Sequence, residues 1–418
     1  MYEEIEMKYF DKNSRISEII EKYPNTIPVF ISKGFKQMAD EDKRNTFAKN
    51  ISLGMALSFK KLDFDTFSKL LIEAIEENSK EDLSLRETDK KNSTNSLKIM
   101  GLFPCPVKVP LIEEFTSFVE EYTENSKVEV DFDLKSASMG LDWIKEDIKD
   151  LEDLSTYPDI LISPGFDLFF DRERVDLFEK SKIFQNSIKY KEYNRSFDGL
   201  NLEDPRSYFS LLGVVPAIFM VNLNELGDRP IPLTWSDILK PEFEKRVSLP
   251  VKDFVMFHGI LLNIHKIYGD EGVIKLGKSL LESLHPAQML KSERIKTEKP
   301  IITIMPYFFT KMAGKNSNMK VIWPKDGAII SPLFMLAKND RLEKSQEIID
   351  FFGDRKIAEI LSHRGFFPSV NPDIDNNIEK ENRFMWLGWD YIYNNNMKNL
   401  IEHCEKIFYQ NSDEKSGK

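Results

Sequence analysis

The stretch Pro232-Leu-Thr-Trp-Ser-Asp-Ile-Leu-Lys-Pro-Glu-Phe-Glu-Lys-Arg-Val-Ser-Leu-Pro250 constrains the chain most, because it prescribes a short capped helix that runs directly into a strand. Thr234 is placed to cap. Asp237, three residues on, is placed to return the hydrogen bond and to complement the positive end of the helix. Pro241 then ends the helix, since it has no N–H to donate and disfavours helical geometry at Lys240. The following Arg246-Val-Ser-Leu249 is short and apolar enough to enter a sheet. Read alone, this is a helix-turn-strand corner and no more.

Composition sets the outer limits. With 418 residues, 41% of them hydrophobic, the chain can bury large cores and has the length of two or three domains. A formal net charge of −11 leaves no broad basic surface, which argues against nucleic acid or an anionic membrane as partner. Cys105 and Cys404 lie far apart, in neither a disulfide nor a metal spacing, so a reducing cytosol is the expected compartment. The opening Met1-Tyr-Glu-Glu-Ile-Glu-Met-Lys-Tyr-Phe10 has no apolar core or cleavage site and does not read as a secretory signal. No run reaches the roughly 18 apolar residues of a membrane span.

Along the chain, residues 1–77 read as a helical domain. Ile16, Ile19 and Ile20 share one face, Phe47, Ile51, Met55 and Leu57 a second, and Phe64, Phe67, Leu70, Leu71 and Ile75 a third. Residues 78–96 are polar, almost without aliphatics, and read as a flexible linker, since they cannot repay the entropy of ordering. From Leu97 strands and helices alternate. Strands are expected at Leu97–Leu102, Val128–Phe132 and Pro158–Ile162, with helices at Pro110–Tyr122 and Leu141–Leu151 between them. That pattern gives a parallel sheet with helices on both faces.

In such sheets ligands collect at the carboxyl ends of strands, near helix N-termini. Ser136 and Ser138 fall there, placed either to hold an anionic or polar group or to cap the next helix. Ser163-Pro-Gly165 follows the third strand, either as a close approach to ligand or as a plain turn. Cys105 stands between a strand and a helix, where the helix dipole favours a thiolate and where a packed small residue is equally at home. The five histidines form no His-x-x-x-His pair, and neither a glycine-rich phosphate loop nor a nucleophile elbow appears, so no cofactor is expected.

The wording of the Thr-Trp corner, Pro-x-Thr-Trp-x-Asp-x-Leu-x-Pro-x-aromatic-x-x-basic-Val, resembles a signature of the two-lobed solute-binding proteins of ABC importers. The subgroup is the one that carries ferric iron, polyamines and small anions. Two further phrases resemble that family in the right order: Val321-Ile-Trp-Pro-Lys-Asp-Gly-Ala-Ile-Ile-Ser-Pro-Leu-Phe-Met335 and Gly365-Phe-Phe-Pro-Ser-Val-Asn-Pro372. The resemblance covers roughly residues 97–375. It implies an α/β, two-lobed, type 2 periplasmic-binding-protein-like fold. Residues 97–210 and 321–418 then form lobe I and 211–320 lobe II, with Leu211–Asn222 and Val321–Ser331 crossing between them. It also implies a small-molecule or ion ligand in the interlobe cleft. Candidate ligand contacts are Cys105, Ser136, Ser138, Ser163 and Gly165 from one lobe and Asp253, His258 and Tyr307 from the other, with Asp326 and Ser331 at the return. Iron-carrying relatives use a tyrosine pair near position 307, where this chain has Tyr307 beside Phe308 and Phe309. The words Ile19-Ile-Glu-Lys-Tyr-Pro-Asn-Thr-Ile-Pro-Val-Phe-Ile-Ser-Lys-Gly-Phe35 resemble a small domain of unknown function, itself similar to the front of iron–sulfur repair proteins. It stands here as a docking or self-association module.

The expected function is therefore reversible capture of a small polar ligand by hinge closure, in the cytosol, as a binding or sensing protein. The competing classes are an enzyme using Cys105 or Asp253 on the same scaffold, and an interaction protein with no ligand. Because residues 78–96 cannot form a core, limited proteolysis is expected to cut there first and release a folded fragment beginning near residue 97. Cuts elsewhere, with that stretch protected, would overturn the boundary.

Overall fold

The computed structural model describes residues 9–23, 51–60 and scattered positions between 26 and 75. From there it describes 95–137, 140–148, 154–188, 190–251, 253–283, 299–310 and 318–413. Of the expected linker only Asn95 and Ser96 are described, and Ser96 already begins a strand. In the N-terminal domain Ile16–Lys22 (α1) and Leu53–Lys60 (α2) are helical, and Ile16, Ile19 and Ile20 bury with Phe30, Phe67 and Leu71. The face expected to carry Met55 differs. Met55 is exposed, and Leu53, Ala56 and Leu57, the i, i+3, i+4 set, carry the packing. Phe47 lies outside the described residues.

The main body runs Ser96–Phe103 (β1), Cys105–Ser126 (α3), Glu129–Ser136 (β2), Asp142–Asp147 (α4), Ile160–Pro164 (β3), Arg172–Ser181 (α5) and Phe209–Asn222 (β4). It continues through Trp235–Ile238 (α6), Val247–Leu249 (β5), Phe254–Ser279 (α7), Leu280–Ser283 (β6), Ile302–Pro306 (β7), Tyr307–Thr310 (α8), Met319–Ile322 (β8) and Ala328–Ala337 (β9). Leu342–Gly353 (α9), Arg355–Glu359 (α10), Phe384–Met385 (β10), Trp389–Asn394 (α11) and Met397–Gln410 (α12) complete it. One sheet carries the strands in the order β2-β1-β3-β9-β4-β7-β5-β6, with β10 on β9 and β8 on β4. β1 pairs in parallel with β2 and β3, whereas β9 is antiparallel to both of its long neighbours, β3 and β4.

Two strands hold the halves together. Every residue of β4 and of β9 is buried, as expected of strands covered on both faces. Residues 209–217 of β4 pair with β9, while its far end pairs with β7 through 217–221 and with β8 through 219–222. Thus the second crossing lies in β9. Val321 belongs to β8, on the far half of β4, so the return comes later than the expected Val321–Ser331. Pro216 sits inside β4, where a proline normally costs a ladder bond. Here Val214 N–H, pointing the same way two residues earlier, donates to Pro368 O at 2.9 Å, and pairing with β7 begins at Ala217. Pro216 therefore fills the gap between two partners.

One further span departs from expectation. α3 begins at Cys105, not Pro110: Pro106 falls in the first turn, whose N–H groups have no helical acceptor, and Pro110 lies inside the helix. α7 is interrupted at Gly269 and ends at Ser279, where Leu280–Ser283 turns into a strand beside β5. The aromatic tail packs on the first half through Trp389 and Phe209, at 6.0 Å between centroids, but α12 lies along α7, with Phe257 and Phe408 at 5.0 Å.

The Thr-Trp corner forms as the sequence prescribes. Thr234 Oγ1 accepts from Asp237 N–H at 3.3 Å, and Asp237 Oδ2 accepts from Leu233 and Thr234 N–H at 2.9 and 3.0 Å. Partial burial pushes the Asp237 carboxyl up, but hydrogen bonds from Lys240, Leu233 and Thr234 outweigh that and hold it near 2. Trp235 is wholly buried, edge-on to Phe219 of β4 at 4.8 Å. Its backbone N–H donates to Asp326 Oδ2 and its indole to Gly327 O, both at 2.9 Å. The corner and the turn before β9 are thereby one unit. Asp326→Ala is expected to lower the unfolding free energy by about 1–3 kcal/mol by stranding the Trp235 N–H, as read by urea denaturation. A variant as stable as the wild type would show the two to be independent.

Candidate functional site

The halves meet where the loop after β3 reaches the first turns of α7. Asp253 caps α7, its Oδ1 accepting from Met256 N–H at 3.2 Å. Gly165 N–H donates to Pro332 O of β9 at 2.9 Å, and a side chain at position 165 would stand 3.4 Å from Val255 Cα. Ser331 of β9 donates to Val255 O at 2.8 Å. Gly259 lets the helix come this close, because a Cβ there would lie 2.4 Å from Ser331 Oγ. The helix start, the loop and the crossing strand thus form one contact.

His258 occupies its centre. Its Nδ1 lies 2.6 Å from Asp167 Oδ1, across the junction, and its Nε2 lies 3.0 Å from Glu405 Oε1 on α12. Burial works against a charged ring, yet the Asp167 charge and hydrogen bond, with Glu405 behind them, raise its pKa to about 9. An imidazolium therefore stands between two carboxylates, Asp167 of the loop after β3 and Glu405 of α12. Asp167 Oδ2 is buried with no hydrogen-bond partner among the described residues, an oxygen left over for a donor.

Of the residues expected at the site, the structure brings Gly165, Asp253, His258 and Ser331 together. Ser163 is fully buried within β3, opposite Phe334, and Ser136 ends β2 opposite Phe103, buried rather than in a loop. Ser138 lies outside the described residues, and of Cys105 only the backbone is described, as the first residue of α3. Asp326 is committed to the Trp235 N–H, which removes it from the list for a structural reason. The Tyr307 ring meets Trp323 edge-on at 5.3 Å and Phe366 at 6.1 Å, while Phe308 and Phe309 pair with each other. Asp167 and Glu405 went unselected. Asp167 ends the Ser163–Asp167 loop and was legible by position, whereas nothing in the sequence connects Glu405 to His258. A separate concavity of about 560 Å³ lies beside Asn201, Lys266, Trp386 and Tyr391, and none of the expected site residues lines it. The junction is the better candidate because it alone joins loop, helix and crossing strand.

Residues 155–395 match the family described as bacterial extracellular solute-binding protein. The chain belongs to that family. Residues 10–67 match a domain of unknown function. No curated protein matches this solute-binding chain. Its fold is similar to the periplasmic binding protein P5PA, at 15% identity over 75% of this chain and 99% of that one, with a TM-score of 0.52. It is likewise similar to the apo ferric ion-binding protein A of Pasteurella haemolytica, at 13% identity, 77% and 100% coverage and a TM-score of 0.52. A Trichodesmium protein, IdiA or FutA, in complex with iron and citrate gives 9% identity, 75% and 99% coverage and a TM-score of 0.52. At such identities the likeness establishes the fold.

His258 makes the junction sensitive to pH. Its folded pKa of about 9 lies above the usual 6.5, so its stabilisation is fully present below about pH 6.5 and is lost as pH rises through about 9. Urea unfolding between pH 6 and 9.5 is expected to show this loss in the wild type and a flatter profile in His258→Gln. Parallel profiles would mean that the ring is not charged in the folded chain.

Proposed function

We propose that this solute-binding protein captures a small polar ligand between its two halves, flexing about β4 and β9, with the Gly165–Asp167 loop and the start of α7 as opposing jaws. The observation that carries the proposal is the His258 bridge to Asp167, together with the buried, unpartnered Asp167 Oδ2. A carboxylate oxygen left bare beside a helix start favours a ligand that brings a cation or an N–H or O–H donor, which covers metal complexes and polyamines. Binding rather than turnover is the reading, because the Asp253 carboxylate already accepts from Met256 N–H. The proposal places this capture in the cytosol, in keeping with two distant cysteines; recovery of the chain from an extracytoplasmic fraction would overturn that part. It also gives the N-terminal helical domain the task of self-association, which a monomeric mass by light scattering on the full chain would refute.

The test of capture is a titration of ferric citrate, spermidine and inorganic phosphate against the full chain, followed by solution scattering with whichever binds. Closure is expected to reduce the radius of gyration, since closure is where differential affinity between open and closed states is expressed. Asp167→Asn is expected to weaken that ligand about tenfold or more, by calorimetry. Tight binding with an unchanged radius and an unchanged Asp167→Asn affinity would refute capture at this junction.

A further inference from the structure

A second constellation lies two helical turns along α7 from His258. Gly269 takes φ 62° and ψ −162°, outside the helical region, and breaks α7 just after His265. The break swings Asp270 back over the preceding turn, so that its Oδ1 lies 3.2 Å from His265 Nε2. The same Oδ1 lies 2.9 Å from His403 Nε2, which α12 delivers from the other end of the sequence. The two imidazole rings are perpendicular, 6.1 Å apart, and both turn Nε2 toward one carboxylate oxygen. Behind His265, its Nδ1 stands 2.8 Å from the Tyr391 hydroxyl. A ring held through Nδ1, with Nε2 turned to a neighbouring donor atom, is the usual posture of a metal-binding histidine, whose outer nitrogen is fixed by a second polar group.

We propose that His265, Asp270 and His403 form a site for a borderline divalent cation of the Zn2+ class. Two imidazole nitrogens and one carboxylate oxygen are a donor set that zinc accepts, with a fourth position left to water. Tetrahedral zinc with bonds of about 2.0–2.1 Å sets its donors about 3.3 Å apart, so the spacings of 3.2 and 2.9 Å need only a small expansion. The three donor atoms all fall within 4.8 Å of one another. Asp270 and His403 are about half exposed, which gives the ion a path in and room for its water. Tyr391 accepts from His265 Nδ1–H in the metal-bound form and keeps Nε2 aimed at the ion. The bound cation ties the break in α7 to α12, two residues from Glu405, which reaches the interlobe His258. The proposal does not depend on ligand capture at the junction.

The probe is Zn2+ alone, added to metal-stripped full-length protein and read by calorimetry and native mass spectrometry. One equivalent per chain is expected. His403→Ala and Asp270→Asn are each expected to weaken it at least tenfold, and Tyr391→Phe about 10–100-fold through loss of the orienting hydroxyl. Since His403 and Asp270 are surface residues, circular dichroism of both variants without metal is expected to match the wild type. Asp167→Asn, in the junction, is expected to leave Zn2+ affinity unchanged, which separates this site from one in the cleft. Absence of saturable uptake, wild-type affinity in both His403→Ala and Asp270→Asn, or loss of uptake in Asp167→Asn alone would each overturn the assignment.

Discussion

Both halves of the molecule hang on the antiparallel ladder between β4 and β9. Each strand is buried from end to end, so neither can lean toward solvent without exposing a continuous apolar run. The ladder stays on one edge of β4 through Ala217 and then yields to β8, while β7 occupies the opposite edge. A change of partner at one point is what lets a single strand belong to both halves of the sheet. The bond from Val214 N–H to the closing loop and the proline two residues later fit that point, because Pro216 removes the one donor that would fall between partners.

The corner that makes the chain recognisable serves this ladder. Trp235 packs on Phe219 of β4 and bonds to the turn just before β9, so the corner fastens both crossing strands at once. Asp326 and Gly327 are consumed in this task. The candidate site is built on the same ladder, where Ser331 and Gly259 bring the start of α7 against β9.

Much of this was legible because it is local. The Thr234–Asp237 cap, the stop at Pro241, the strand after it and the long apolar β4 each follow from residues a few positions apart. The three family phrases lie in order along the chain. What escaped the sequence is of two kinds. Serines at strand ends, such as Ser136 and Ser163, were read as loop residues because β2 runs four residues and β3 two residues past their expected ends, and nothing in the polarity of those residues marks them as strand. Glu405 and His403 act on α7 from the other end of the sequence, and pairing at that separation leaves no periodicity to read. The same blindness applied to Asp270, which reaches His265 only because a glycine breaks the helix between them.

The burial of β4 also governs how the chain must be made. Its apolar residues leave the ribosome before all of residues 223–327 have been added, and only then does β9 exist to pair with them. For that interval the nascent chain carries an unpaired, strongly apolar strand, the species most prone to stick to its neighbours. Pro216, at the middle of the strand, interrupts any foreign ladder that tries to form on it, because it offers no donor. The residue that fits the change of partner in the finished fold thus also protects the unfinished one.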